Sequence, residues 1–160
     1  MIRSIELSDC QSITDIYNWY IETTTATFEE IPLAVSEMQN RVNGIHELFP
    51  YLVYEENREI LGFAYVDAFH PRSAYRFTLE DTIYVRNGYQ GKGIGRALLH
   101  ALLNEVKKQD THAIVAKIAL PNERSVHLHE VFGYKNIGIL KEVGRKFDTW
   151  VDVGFWELIV

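Results

Sequence analysis

Gly91, Gly93 and Gly95 recur at every second position in the stretch YQGKGIGRALL, Tyr89 to Leu99, with Lys92 between the first two and a helical pattern after the last. Glycine tolerates positive φ and lets a ligand come close to the main chain. A turn of this kind, leading into a helix N-terminus, aims several N–H groups at one point, and the helix dipole adds partial positive charge there. Lys92 and Arg96 add full charges. The chemistry implied is a phosphate or pyrophosphate held mainly by backbone; the competing reading is a tight turn with no ligand. The dinucleotide fingerprint G-x-G-x-x-G fails, because Gly93-Ile94-Gly95-Arg96-Ala97-Leu98 ends in leucine. A P-loop fails as well, because Lys92 is followed by Gly93 and not by Ser or Thr.

Other side chains are able to move protons. Glu80 lies in a strand otherwise built of apolar and hydroxyl residues. Buried there, its pKa would rise toward the range of a general base; facing solvent, it would be an ordinary strand carboxylate. Asp81 turns to the opposite face of a regular strand and is the poorer candidate. Cys10 sits near a helix start, where a thiol can be activated, but no histidine lies close to it in sequence. It reads as a buried or tolerated thiol. His46, His70, His100 and His112 show no metal-ligand spacing, and no metal is expected.

The elements that must position these groups belong to one domain spanning residues 1–160, with no repeat, low-complexity tract or linker. Hydrophobic residues make up 47% and charged residues 24%, the balance of a globular protein, and the formal net charge of -6 argues against a nucleic-acid partner. The single cysteine excludes an intrachain disulfide. No run is long enough to span a bilayer and the N-terminus lacks a signal-peptide pattern, so no membrane association and a cytoplasmic location are expected.

A strand is predicted over Ile2 to Leu7. Ser8 or Asp9 would cap a helix through Ile13, Ile16, Tyr17 and Tyr20, followed by a loop over Thr23 to Phe28. Ser36 would cap a second helix with Met38, Val42 and Ile45 inward. Three strands follow, near Tyr51–Tyr54, Ile60–Phe69 and Phe77–Val85. The strongest helix is Gly93 to Gln109, with Ile94, Leu98, Ala101, Leu102 and Val106 on one face. A buried strand at Ala113–Ala119, a short helix at Ser125–Phe132 capped by Ser125, and strands near Tyr134–Val143 and Val151–Ile159 complete the chain. Antiparallel strands leading into a β-α-β-α-β half predict an α/β (α+β) fold: a mixed, mostly antiparallel twisted sheet flanked by helices on both faces.

The stretch IYVRNGYQGKGIGRALL resembles the acetyl-CoA motif of the GNAT superfamily of N-acetyltransferases, Gln/Arg-x-x-Gly-x-Gly/Ala, matched by Gln90, Gly91, Lys92, Gly93, Ile94 and Gly95. LPNERSVHLHEVFGY (Leu120 to Tyr134), RSAYRFTLEDTIYV (Arg72 to Val85) and WVDVGFWEL (Trp150 to Leu158) resemble the phosphinothricin acetyltransferase branch, and TTTATFEE (Thr23 to Glu30) fits it more loosely. The resemblance implies acetyl-CoA as cosubstrate. Its pyrophosphate would lie on the loop from Gln90 to Arg96 and its pantetheine arm on the main chain of Ile83, Tyr84 and Val85. Asn122 would hydrogen-bond that arm, or cap the short helix, or both. The backbone N–H of Val85 would donate to the oxyanion.

Acetyl transfer to an amine needs a base, because an ammonium has no lone pair; an α-amine has a pKa of about 8, so one base suffices near neutral pH. By resemblance Glu80 is that base, directly or through a water. His129 would protonate the departing thiolate or assist deprotonation, whereas His127 lies on a different helical face. Arg72 and Tyr75 match the branch's Arg-x-Ala-Tyr segment, and an arginine can grip a carboxylate or phosphinate with two parallel hydrogen bonds. Phe28, with Thr25 and Thr27, would wall the acceptor pocket. Trp150, Phe155 and Trp156 read as core or interface aromatics. The resemblance further implies a homodimer. The leading reading is an N-acetyltransferase for a small amino-acid-like acceptor of the phosphinothricin, methionine sulfoximine or methionine sulfone type. The alternatives are the same fold acting on a protein N-terminus, a polyamine or an aminoglycoside, and a sensor that binds acyl-CoA without turnover.

Overall fold

The computed structural model describes residues 1–160. In chain order the elements are β1 (Ile2–Ser4), α1 (Cys10–Thr23), α2 (Val35–His46), β2 (Tyr51–Glu56), β3 (Glu59–Ala68), β4 (Thr78–Val85), α3 (Ile94–Val106), β5 (Ala113–Leu120), α4 (Glu123–Val131), β6 (Lys135–Lys146) and β7 (Thr149–Ile159). Their order and type agree with the sequence pattern. The seven strands form one mixed, mostly antiparallel sheet in the order β1-β2-β3-β4-β5-β7-β6. The parallel pair is β4 with β5, registered Thr78–Ala113, Leu79–Ile114 and Glu80–Val115. Contacts between residues group into two compact units. One comprises Met1–Trp19, Leu33–Asp67 and Thr82–Asp110; the other comprises Tyr20–Pro32, Ala68–Asp81 and Thr111–Val160.

The first unit is built on the β2–β3 hairpin, whose two-residue turn holds Asn57 and Arg58 at φ of 51° and 65°. Both values match the twist that a tight hairpin demands. Ile13, Met38, Val42, Val53, Leu61, Phe63, Leu98 and Leu102 fill its core. The helix starts differ from the expected caps. A 3-10 turn over Leu7–Asp9 precedes α1, and the Asp9 carboxylate accepts the Glu6 N–H at 2.8 Å while taking Arg3 on both oxygens at 2.7 and 2.8 Å. Burial pushes that carboxyl up, but Arg3 and the Glu6 N–H outweigh it and hold it below the usual aspartate value. Ser36 is no cap: α2 begins one residue earlier, and the Glu37 carboxylate closes its first turn by accepting the Ala34 N–H at 2.8 Å. Cys10 is fully buried, and burial pushes its thiol up, away from reactivity.

The second unit is built on the antiparallel triple β5-β7-β6. Leu79, Ile114, Val115, Ile118, Val151 and Trp156 fill its core. The Trp156 indole N–H donates to Glu130 of α4 at 3.1 Å. Trp156 is thus a core residue as expected, whereas Trp150 stands exposed on the hairpin.

Candidate active site

In the first unit, β4 hands over to α3 through the glycine loop. The loop is anchored at its start by Arg86, whose backbone N–H donates to the Leu61 carbonyl at 2.8 Å and whose Nε donates to the Ile60 carbonyl at 2.9 Å. The Gln90 side chain shapes the turn by accepting the Gly88 N–H at 2.8 Å. Gly91 and Gly93 have φ of 78° and 86°, the left-handed region that an L side chain enters only at a cost. Gly95 differs from the expectation: it lies inside the first turn of α3. Gly93 is the N-cap and offers no side-chain acceptor to the first turn. The helix therefore begins with N–H groups that no cap side chain satisfies, on a loop carrying Lys92 and followed by exposed Arg96. Lys92 stacks over the Tyr89 ring at 4.5 Å. Such a geometry suits an anion, the ligand class that the sequence spacing implied.

Two packing features hold that helix start in place. Ile94 turns its side chain into the core, so only its backbone serves the loop. Gly62 of β3 leaves room for it: a Cβ there would lie 2.9 Å from the Tyr84 carbonyl oxygen, 3.1 Å from Leu98 and 3.3 Å from Ile94. Tyr84 turns its ring onto Tyr17 and Phe63, at centroid distances of 5.1 and 5.5 Å. These rings, with Tyr51, Tyr65 and Met38, wall a cavity of about 410 Å³ whose polar lining includes Arg41 and Asp67. Sequence reasoning missed this cavity. The available signal was the two-residue spacing of Phe63 and Tyr65 on one strand face.

In the second unit, β4 carries one carboxylate on each face. Glu80 is neither fully buried nor an isolated solvent-facing carboxyl, the two alternatives that the sequence left open. Its side chain is 29% exposed, and its Oε2 meets Lys117 Nζ of β5 at 2.6 Å. Lys117 also lies over the Phe69 ring at 5.3 Å. The lone cation in AIVAKIAL was a usable signal, because parallel pairing brings it to the acid two registers back.

Asp81 faces the other way and is buried. It accepts the Tyr134 hydroxyl at 2.5 Å, and its second oxygen lies 3.4 Å from His129 Nε2. His129 is 4% exposed and donates from Nδ1 to the Ser125 carbonyl at 2.7 Å. The structure therefore sets His129 against Asp81, on the face of β4 opposite to Glu80, and does not bring the two expected catalytic side chains onto one face. Burial pushes the His129 imidazolium down, but Asp81 and the Ser125 carbonyl outweigh it, leaving its pKa raised. For Tyr134 burial and the Asp81 charge act together and push the phenol far up. Asp81, the poorer candidate by sequence, is the centre of this network.

Asn122, not Ser125, caps α4: its Oδ1 accepts the Ser125 N–H at 3.2 Å. Arg72 precedes a 3-10 turn over Ser73–Tyr75, and both Arg72 and Tyr75 are exposed. The Tyr75 ring rests on Phe69 and His70 at 5.8 and 4.7 Å. Thr27 is buried, its hydroxyl accepting the Glu29 N–H at 3.2 Å, while the neighbouring Phe28 is 40% exposed.

The acetyltransferase (GNAT) domain profile matches residues 2–154, and the chain belongs to this family. Within it, the chain is an N-acetyltransferase of the phosphinothricin N-acetyltransferase-like branch. It is 38% identical over 156 residues to phosphinothricin N-acetyltransferase of Streptomyces viridochromogenes, covering 98% of this chain and 85% of that protein. It is 33% identical over 161 residues to the L-methionine sulfoximine/L-methionine sulfone acetyltransferase of Salmonella typhimurium, covering 98% and 92%. A GNAT superfamily phosphinothricin acetyltransferase from Sinorhizobium meliloti, solved in complex with AcCoA, superposes with a TM-score of 0.97 at 34% identity, covering 100% of this chain and 88% of that one. No helix is long and apolar enough to cross a membrane.

Proposed function

We propose that the chain transfers the acetyl group of acetyl-CoA directly to the α-amine of a small amino-acid-like acceptor of the phosphinothricin, methionine sulfoximine or methionine sulfone type. The carrying observation is the Gly91–Gly93 turn at the head of α3, which suits a pyrophosphate held by main chain. The acceptor class rests on the names of the relatives. The functional unit is the whole of residues 1–160.

Glu80 takes the amine proton. Its Oε2 is held by Lys117, which leaves Oε1 to accept the proton. The freed amine attacks the thioester carbonyl, an N–C bond forms, and the Val85 N–H steadies the oxyanion. The C–S bond then breaks, the nitrogen gives up its second proton, and the departing thiolate takes up a proton to leave as the thiol. His129 would protonate the thiolate or assist deprotonation only through intervening groups, because it is buried with its nitrogens turned to Asp81 and the Ser125 carbonyl, on the face of β4 opposite to Glu80. Arg72 and Tyr75 take the acceptor's anionic end, and Thr27 and Phe28 wall its side chain. The same reading includes a homodimer: Ile137, Ile139, Leu140 and Val143 stand exposed on β6, the edge strand of the sheet.

The test is free-thiol release from acetyl-CoA across phosphinothricin, methionine sulfone, ordinary amino acids, spermidine and an aminoglycoside, in wild type and Glu80→Gln. Turnover is expected with the amino-acid analogues, and the variant should lose about 100- to 10,000-fold in kcat. Turnover confined to the cationic amines overturns the acceptor. Coenzyme binding without turnover on any amine favours the sensor reading, and an undiminished Glu80→Gln overturns the base.

A further inference from the structure

Lys146, the last residue of β6, is a lysine where a lysine is costly. It is 2% exposed. Its Nζ donates to the Thr27 carbonyl at 2.9 Å and lies 5.1 Å from the Phe147 ring. Burial pushes its pKa down, against the attraction of Glu30 and Glu29. Two residues earlier, Gly144 holds a second contact with the same loop. A Cβ at Gly144 would lie 2.2 Å from the Phe28 ring, so the ring occupies the space a side chain would need. The strand is shaped for this contact. Between Leu140 and Gly144 it carries four steps against two on β7, and Asp152 clamps the bulge by accepting the Glu142 N–H and the Lys141 ammonium, both at 2.8 Å.

We propose that Lys146 is a positioning residue for the acceptor. Its buried ammonium on the Thr27 carbonyl, with the Phe28 ring seated on Gly144, fixes the loop between Thr24 and Pro32 from the C-terminal hairpin. Acceptor recognition then depends on residues 144–146, which need not touch the acceptor, while coenzyme binding does not. The inference rests on the reading that Thr27 and Phe28 wall the acceptor. It explains why a cation is kept in this position: an apolar side chain of the same length would pack without the desolvation cost but would leave the Thr27 carbonyl without its donor.

The experiment compares wild type with Lys146→Met and Gly144→Ala in the full chain, reading KM for the best acceptor, KM for acetyl-CoA, and backbone hydrogen exchange. Each variant is expected to raise the acceptor KM about tenfold while leaving the acetyl-CoA KM within about twofold. Exchange at the Phe28 and Glu29 amides should quicken, with no change in α3. Parallel changes in both KM values, or an acceptor KM and loop exchange like those of wild type, overturn the inference. Should Lys146→Met fail to fold, Gly144→Ala keeps the lysine and carries the same test. Should wild type turn over no amino-acid acceptor, the acceptor reading has failed, and loop exchange in the two variants still decides whether residues 144–146 fix the loop.

Discussion

Replacing Asp81 by asparagine removes one charge from a buried pair and little else. The new amide oxygen can still accept the Tyr134 hydroxyl, so that bond survives in kind. What is lost is the carboxylate facing His129 Nε2, with His129 only 4% exposed. Breaking a buried pair by removing one partner costs about 3 to 5 kcal/mol, because the other charge is left without compensation. The cost must depend on pH in a definite direction. The folded-state pKa of His129 is raised above its ordinary value, so the pair contributes fully below the unfolded histidine pKa of about 6.5 and is lost as pH rises through the folded value. In the variant, burial is opposed by the Ser125 carbonyl alone and the balance moves toward the neutral ring, so acid conditions destabilise the folded state. Equilibrium urea unfolding should therefore show a deficit of about 3 kcal/mol near pH 5.5 that shrinks as the pH is raised toward about 9 and the ring loses its charge. His129→Gln should flatten the dependence. A deficit for Asp81→Asn that is the same across this range would show that His129 carries no charge in the folded protein, and the reading of a charged pair with Asp81 would fall with that result.

Two glycines give further tests. Gly93→Ala forces a Cβ into a φ of 86°, which costs about 1 to 2 kcal/mol, and is expected to raise the KM for acetyl-CoA about tenfold with the acceptor KM unmoved; a change in the acceptor KM alone would contradict the loop's assignment. Gly62→Ala sets a Cβ 2.9 Å from the Tyr84 carbonyl oxygen, a backbone atom that cannot swing aside. It should lose about 1 to 3 kcal/mol in chemical denaturation, and unaltered stability would mean that the strand and α3 approach less closely than described.

The order of elements was legible because each depends on local periodicity. The apolar face of α3 recurs with helical spacing from Ile94 to Val106, and its residues are buried except for the half-buried Ala101. The end of that helix was read three residues too far, since Lys107 to Gln109 continue in turns that the pattern does not distinguish from helix. Caps were read less well. Ser36 and Ser125 have the right side chains in the right neighbourhoods, but Glu37 and Asn122 make the bonds, because capping depends on one residue's dihedral angles and not on residue type alone.

The sequence by itself determined the family, and it singled out the glycines before α3 and the carboxylate at position 80, because each is carried by residue types at fixed spacing along the chain. Only the tertiary structure decided the partners: Lys117 for Glu80, Asp81 and Tyr134 around His129, and Lys146 for the Thr27 carbonyl. Tyr134 and Asp81 are 53 residues apart, and Lys146 and Thr27 are 119 apart. No periodicity spans such separations. Burial and electrostatic environment are set by what packs against a side chain, so the protonation state of His129 and the hold of Lys146 on the Thr27 carbonyl follow from folding, not from local pattern.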